Sequence, residues 1–388
     1  MTKFLYFCHR ILENGKMNPF VTNGYAGSEY FCDRIKETED ILRWLQNGNN
    51  IALISPRRYG KTDLIRHCFE QKEIKKNYHT FIIDIYSTKS LSEMVNKMGR
   101  TILEVLKPKG KRHWETFLNI VHSLHAGITY DAMGQPSWNM SVGDIVDPNN
   151  TLDEIFHYLQ HAEKHCLVAI DEFQQILKYS NTNVEAALRT YVQYCSNANF
   201  VFMGSQRHLM GAMFIYPNRP FYQSVTVMNL DLIALEKYWD FCKKHFEKAG
   251  KTIDKEIVEQ LYDQFEGVTF YLQKVMNVLF MRTKEGAHCG IADLQPAIDY
   301  IIDFTQSTYE DLMYQLPEKQ SIVLKAIAED GKAQQITSGI FVKKHSLTSS
   351  SAVKSAVNAL LDKDLVTQNK GIYQVYDKFL ELWLKRQK

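Results

Sequence analysis

"NNIALISPRRYGKTDLIRH", residues 49 to 67, is the stretch that decides the fold. Four apolar residues, Ile51 to Ile54, run into a proline, two arginines, a glycine and Lys61-Thr62, after which Leu64, Ile65 and Cys68 fall at helical spacing. A strand that stops abruptly, a loop whose N–H groups point inward and a helix whose N-terminus faces the same point make a phosphate-binding construction. "SPRRYGKT" fits G-x-x-x-x-G-K-[ST] except that Ser55 stands where the first glycine is expected. Serine there is a departure, because glycine takes unusual backbone angles at no steric cost and serine does not. The rest of the pattern assigns Gly60 to close backbone approach, Lys61 to the β and γ phosphates, and Thr62 to Mg²⁺. The expected nucleotide cradle is therefore Ser55, Pro56, Arg57, Arg58, Tyr59, Gly60, Lys61, Thr62 and Asp63. The alternative is a chance Gly-Lys-Thr in an ordinary turn.

A phosphate loop needs a carboxylate on a second buried strand to bind the metal and aim a water. "HCLVAIDEFQQI" (165 to 176) supplies one: Leu167 to Ile170 is a continuous apolar run, as in a parallel strand buried on both faces, and it ends in Asp171-Glu172. Asp171 is expected beside Mg²⁺, and Glu172 is expected to orient and deprotonate the attacking water. "HTFIIDIY" (79 to 86), "NFVFMGSQ" (199 to 206) and "SVTVMNLDL" (224 to 232) also read as short buried strands separated by helical periodicity. Alternating strands and helices imply an α/β fold, a parallel sheet covered on both sides. Ligands of such sheets sit at the carboxyl ends of the strands, where Gly60-Lys61-Thr62, Asp171-Glu172 and Ser205-Gln206 are expected to converge. Ser205 then senses the γ-phosphate or the water, unless it is simply the N-cap of the next helix.

Taken together, "NPFVTNGYAGSEYFCDRIKETEDILRWLQNGNN" (18 to 50), the phosphate loop, "VAIDEFQQI", "FVFMGSQRHLMGAMF" and "RPFYQS" resemble the archaeal-type ATPases of the AAA superclass, relatives of the signalling ATPases with numerous domains. The resemblance spans residues 18 to about 385. It implies an ATP-binding P-loop αβα sandwich (18–234), an α-helical lid (235–316) and a C-terminal winged helix-turn-helix (317–388). It also implies that the segment before the first strand packs by the adenine, which makes Phe31, Asp33 and Arg34 base-side candidates. Two departures stand out. Relatives often carry Gly-Arg after the sensor strand, whereas "PFYQS" has no arginine, leaving Arg219, Arg189 and Arg207 as γ-phosphate candidates. In the lid, "EGVTFYLQKV" stands where Gly-x-Pro is usual. Both departures point to slow hydrolysis, a switch rather than a motor.

At 388 residues the chain exceeds one hydrophobic core, and 45% apolar with 23% charged residues is an ordinary globular balance. No uncharged apolar run approaches the roughly 18 residues that span a bilayer. "FLYFC" near the start is too short for a signal-peptide core, so a cytoplasmic protein is expected, with residues 1–17 as an N-terminal extension. Seven cysteines without any C-x-x-C pair suggest buried thiols in a reducing compartment. "HYLQHAEKH" sets His157, His161 and His165 four apart, as on one helical face. Without H-E-x-x-H and beside an apolar stripe, they read as a solvated face rather than a metal site. Residues 126 to 144, "AGITYDAMGQPSWNMSVGD", alternate polar and apolar around Gly134-Gln135-Pro136 and read as an inserted β-hairpin before a helix at 151 to 165.

From Leu235 the strands stop and helical spacing takes over, with "TFYLQKVMNVLF" (269 to 280) expected to cover the nucleotide. After Pro317 the pattern is helix (318 to 329), helix (about 334 to 344), helix (350 to 362) and a hairpin turning at Asn369-Lys370-Gly371. The third helix leaves Ser351, Lys354, Ser355 and Asn358 outward. Residues 317–388 hold 12 Lys and Arg against 7 Asp and Glu, a balance of +5, while the remainder holds 34 against 37. Three functions fit: a slow ATP-hydrolysing switch that repositions the winged helix, a DNA-binding protein whose nucleotide site sets oligomerisation, or a scaffold with a vestigial site. Intact Lys61, Thr62, Asp171 and Glu172 weigh against the last. The expected ligands are ATP or ADP with Mg²⁺, and the expected partner of 317–388 is DNA or protein, with homo-oligomers open and no membrane.

Overall fold

The structure, a computed structural model, describes residues 17–141, 145–180 and 183–387. The extension expected over residues 1–17 lies outside them apart from Met17. Five strands form one parallel sheet: β1 (Ile51–Ile54), β2 (His79–Asp84), β3 (Cys166–Asp171), β4 (Ala198–Gly204) and β5 (Thr226–Asn229), in the spatial order β2-β3-β4-β1-β5. The apolar runs are continuous because both faces are buried. Ala52, Ile54, Phe81, Ile83, Val168, Ile170, Phe200 and Phe202 enter one core, and Ile51, Leu53, Leu167, Ala169, Val201 and Met203 enter the other. Helices α1 (Ile35–Gln46) and α2 (Lys61–Phe69) cover the second face with Ile41, Leu45, Leu64, Ile65 and Cys68. Helices α3 (Leu91–Leu106), α4 (Pro148–His161) and α5 (Val184–Tyr194) contribute to the first.

The chain falls into two compact units. Among the described residues, the first comprises those of 23–238 and 268–270, and the second comprises 17–22, 239–267 and 271–387. In the first unit, Ile128–Tyr130 pairs antiparallel with Pro136–Trp138, a hairpin within the 126 to 144 insertion, of which 142–144 lie outside the described residues. Helix α4 ends at His161, four residues short of expectation. His165 instead lies just before β3, its Nε2 bonded to Asn199 Oδ1 at 2.7 Å, so the three histidines do not share a helical face. Among the described residues no group of three His, Cys, Asp or Glu side chains is arranged to hold a metal.

The second unit is largely helical, and Phe20 packs against Phe241, Phe246 and Phe280 in it. Contrary to the reading that strands stop at Leu235, Thr252–Ile253 pairs with His288–Cys289. Two-residue strands are too short to leave an alternation in the sequence. The winged helix comprises Glu318–Asp330, Gly339–Lys344, Ser350–Asp362 and the wing Val366–Asn369 with Ile372–Val375. Its second helix begins five residues later than expected. Ala333–Gln334 is a third strand of the wing, Gln335 turns at φ 46°, and Ser338 caps the helix by accepting the Phe341 N–H at 3.2 Å.

The six described cysteines are buried and form no disulfide with one another; burial pushes Cys68 and Cys166 up to about 12 and Cys195 and Cys289 up to about 11. Among the described residues, no helix is long and apolar enough to cross a membrane. Phe202 is fully buried among Phe173, Phe200, Phe214 and Phe221. Phe202→Ala is therefore expected to cost about 3–5 kcal/mol in denaturant unfolding, against less than about 0.5 kcal/mol for Tyr194→Ala, which lies on the surface.

Candidate active site

The loop after β1 reverses through two left-handed residues, Arg58 (φ 72°) and Gly60 (φ 87°), the second being the N-cap of α2. Ser55 is fully buried and is not among the left-handed residues, so serine in place of the first glycine carries no backbone strain here. Its N–H donates to Gly204 O at 3.3 Å, joining the loop to the end of β4. The Lys61 ammonium, 6% exposed, donates to Ser55 O at 3.0 Å and Pro56 O at 3.2 Å. Burial pulls its pKa down, Glu172 and Asp171 pull it up, and the nearby Arg57 and Arg207 pull it down.

Thr62 Oγ1 donates to Asp171 Oδ2 at 2.5 Å, although the strands that lead to them are separated by β4. Asp171 is 7% exposed, and burial raises its pKa against the pull of the Thr62 hydrogen bond and Lys61. Asp63, one residue further along α2, is likewise raised by burial. Glu172 turns out of β3 in the left-handed region (φ 55°), and its Oε2 accepts from Ser205 Oγ at 2.7 Å and from Gln174 Nε2 at 2.5 Å. Ser205 is thus bonded to the Glu172 carboxylate; the following helix α6 (Arg207–Ile215) has Gln206 as its N-cap. The order β3-β4-β1 accounts for this meeting, because it sets the end of β4 between the Asp-Glu strand and the phosphate loop.

Three residues escaped the sequence reading. Gln174 lies two positions beyond Glu172 in a short helical turn, Phe173–Lys178, that folds it back. Gly204 has no room for a side chain: a Cβ would stand 2.3 Å from Met210 Sδ and 2.5 Å from Gln174 Oε1. Asp84, at the end of β2, lies in register with Asp171. Only Asp84, a carboxylate at a strand end, had a sequence signal that could have found it.

The remaining candidates are scattered. Arg57 stacks over Tyr86 at 5.1 Å, Arg58 over Phe270 at 4.7 Å, and Tyr59 packs on the α1–α2 core. Phe31 stacks on His67 at 4.4 Å, and Tyr25 bonds His67 at 2.9 Å. Asp33 and Arg34 are both left-handed; the Arg34 guanidinium is buried, donating to Glu37 at 2.6 Å and to Asp231 O at 2.5 Å, which commits it to tying α1 to the segment after β5. Two γ-phosphate candidates lie elsewhere. Arg189 lines a cavity with Asn50, His165 and Asn199 at the amino ends of the strands, and Arg219 is bonded to the buried Glu185. Arg207, next to Ser205-Gln206, is the one whose charge reaches Lys61.

A family model described as "ATPase domain predominantly from Archaea" matches residues 31–275. The chain belongs to that family. A model described as "Probable winged helix domain" matches residues 307–386. Among solved structures, a Walker-type ATPase of Pyrococcus abyssi is similar at 14% identity and a TM-score of 0.63, covering 95% of this chain and 99% of that one. The ORC1 protein of Aeropyrum pernix, solved in complex with DNA, is similar at 12% identity and a TM-score of 0.52, with 92% and 93% covered. The ADP form of the ORC2 protein of Aeropyrum pernix is similar at 14% identity and a TM-score of 0.50, with 95% and 97% covered. No curated protein matches. These likenesses establish a P-loop ATPase fold carrying a C-terminal winged helix.

Thr62 and Asp171 present one hydroxyl and one carboxylate, both hard oxygens of the kind that Mg²⁺ takes from proteins, and burial raises the pKa of the carboxylate. Lys61→Ala is expected to weaken ATP binding roughly 10- to 100-fold in calorimetric titration, the loss of one charge-assisted contact. Gly204→Ala is expected to cost about 1–3 kcal/mol in unfolding, since Met210 and Gln174 must move.

Proposed function

We propose that the protein binds Mg-ATP at the carboxyl ends of β1, β3 and β4 and hydrolyses it slowly, as a switch whose output is the winged-helix unit. The observation that carries this reading is the single cluster formed by Lys61, Thr62, Asp171, Glu172 and Ser205. Backbone N–H groups of the loop and the Lys61 ammonium would hold the β and γ phosphates, and the α2 N-terminus faces the same charge. Thr62 and Asp171 would hold the Mg²⁺, which neutralises charge on the phosphates. Glu172 would take the proton of the attacking water, with Ser205 fixing the carboxylate and Arg207 approaching the γ-phosphate.

One feature supports a mechanical role. The Phe270 N–H donates to Arg58 O at 3.4 Å while the Arg58 guanidinium lies over the Phe270 ring. Phe270 belongs to the first unit, and its helix α7 (Thr269–Arg282) runs on into the second. A rearrangement of the phosphate loop on hydrolysis would therefore act on the first turn of a helix that enters the output unit.

The alternative, a DNA-binding protein with a nucleotide-controlled assembly, draws on the winged helix. Ser351, Lys354, Ser355 and Asn358 are exposed on its third helix, and the wing tip ends in exposed Asn369 and Lys370. Exposed hydroxyl, amide and ammonium groups suit phosphate contacts more than base reading, since no arginine is among them.

Glu172→Gln is expected to leave ATP affinity within a few-fold while slowing phosphate release about 10²- to 10⁴-fold. Equal rates in the two proteins would remove Glu172 from the chemistry. For the winged helix, duplex affinity is expected to fall with salt at a log–log slope of about −3, from three or four phosphate contacts at roughly −0.9 each, and Lys354→Ala is expected to flatten it by about 1. Affinity indifferent to salt would direct the search to a protein partner.

A further inference from the structure

Gln174 is 3% exposed, and among the described residues only one end of its amide finds a partner. Nε2 donates at 2.5 Å to Glu172 Oε2, the oxygen that also accepts from Ser205 Oγ. Oε1 is buried with no hydrogen-bond partner among the described residues, against the end of β4, where a Cβ on Gly204 would stand 2.5 Å from it. An orphaned buried acceptor costs stability, and an apolar side chain of the same length would avoid that cost. Turning the amide over brings no relief, because its carbonyl would then face the carboxylate oxygen it now donates to. A residue that lowers stability where an apolar one would fill the space calls for a functional reason.

The geometry points to one. We propose that Gln174 is a positioning residue for hydrolysis: it pins Glu172 Oε2, so that Oε1 is the oxygen offered to the attacking water. The proposal rests on the reading of Glu172 as the base. With Ser205 alone, the carboxylate would be tethered at one point and free to pivot about it. The second donor approaches from the chain's own next turn, and that turn is anchored by Phe173, fully buried against Phe202, Phe214 and Phe221. Two donors from different elements, converging on one oxygen, leave the carboxylate a single orientation. Glu172, leaving β3 in a left-handed conformation, gains from its own backbone no such restraint.

Gln174→Met keeps the length of the side chain and removes both polar ends. Its kcat for ATP is expected to fall about 10- to 100-fold, while KM and the affinity for a non-hydrolysable ATP analogue stay within about threefold, because only the orientation of the base is lost. The melting temperature of the nucleotide-free protein is expected to stay level or rise. In a Glu172→Gln background, the same change is expected to leave the residual rate unaltered, since Gln174 acts through Glu172. A kcat within about twofold of wild type would overturn the proposal, as would a lower melting temperature with weakened analogue binding, or an additive loss in the double variant. If wild type and Glu172→Gln release phosphate equally, the assignment of the base fails and this proposal with it. If Glu172→Gln stops turnover and Gln174→Met does not slow it, the assignment of the base stands and Gln174 has no part in it.

Discussion

The hydrogen bond from Thr62 to Asp171 spans the end of a strand that belongs to neither residue. The sheet order puts β4 between β1 and β3, so the phosphate loop and the Asp-Glu turn meet only by closing over the end of β4. That closure dictates what β4 may end in. Gly204 gives its carbonyl to Ser55 and leaves space for Met210 and Gln174, and Ser205 then emerges beside Glu172. The two apolar cores on either face of the sheet hold the three strand ends in register, and the polar cluster is the product of that register.

The cluster is assembled against local energetics. Lys61 and Asp171 are both buried, and burial moves the ammonium and the carboxylate in opposite directions, each towards its neutral form. Arg58 and Glu172 sit in the left-handed region at a cost of order 1–2 kcal/mol each. Strain and desolvation of this kind persist where the surrounding packing over-determines them, and here the phenylalanine cluster of the first core and the α1–α2 core of the second do so. A positive loop and helix end lie on one side, and a hydroxyl and a carboxylate on the other, the charge pattern that the proposed Mg-ATP would need.

Most of this was legible in the sequence, for definite reasons. A strand buried on both faces must be apolar throughout, which makes β1, β3 and β4 visible as runs, and the chemistry of a phosphate loop and its carboxylate partner confines Gly60-Lys61-Thr62 and Asp171-Glu172 to their ends. What the sequence hid depends on three-dimensional register or single-residue conformation. Ser55 looked like a strained substitution because its φ is not written in the residue type. Arg189 and Arg219 were as eligible as Arg207 until the fold sent the first to the far end of the sheet and gave the second to Glu185. Gln174 read as one more residue after a strand, and only its orphaned oxygen distinguishes it. The second helix of the winged helix began late because a two-residue strand was needed to complete the wing.

If Thr62 and Asp171 form a metal-dependent nucleotide site, Mg²⁺ acts on nucleotide binding through Asp171. The most direct measurement is ATP affinity with and without Mg²⁺, in wild type and in Asp171→Asn. Mg²⁺ is expected to tighten ATP binding to the wild type, and most of this gain is expected to disappear in Asp171→Asn. The same Mg²⁺ gain in both proteins would contradict it.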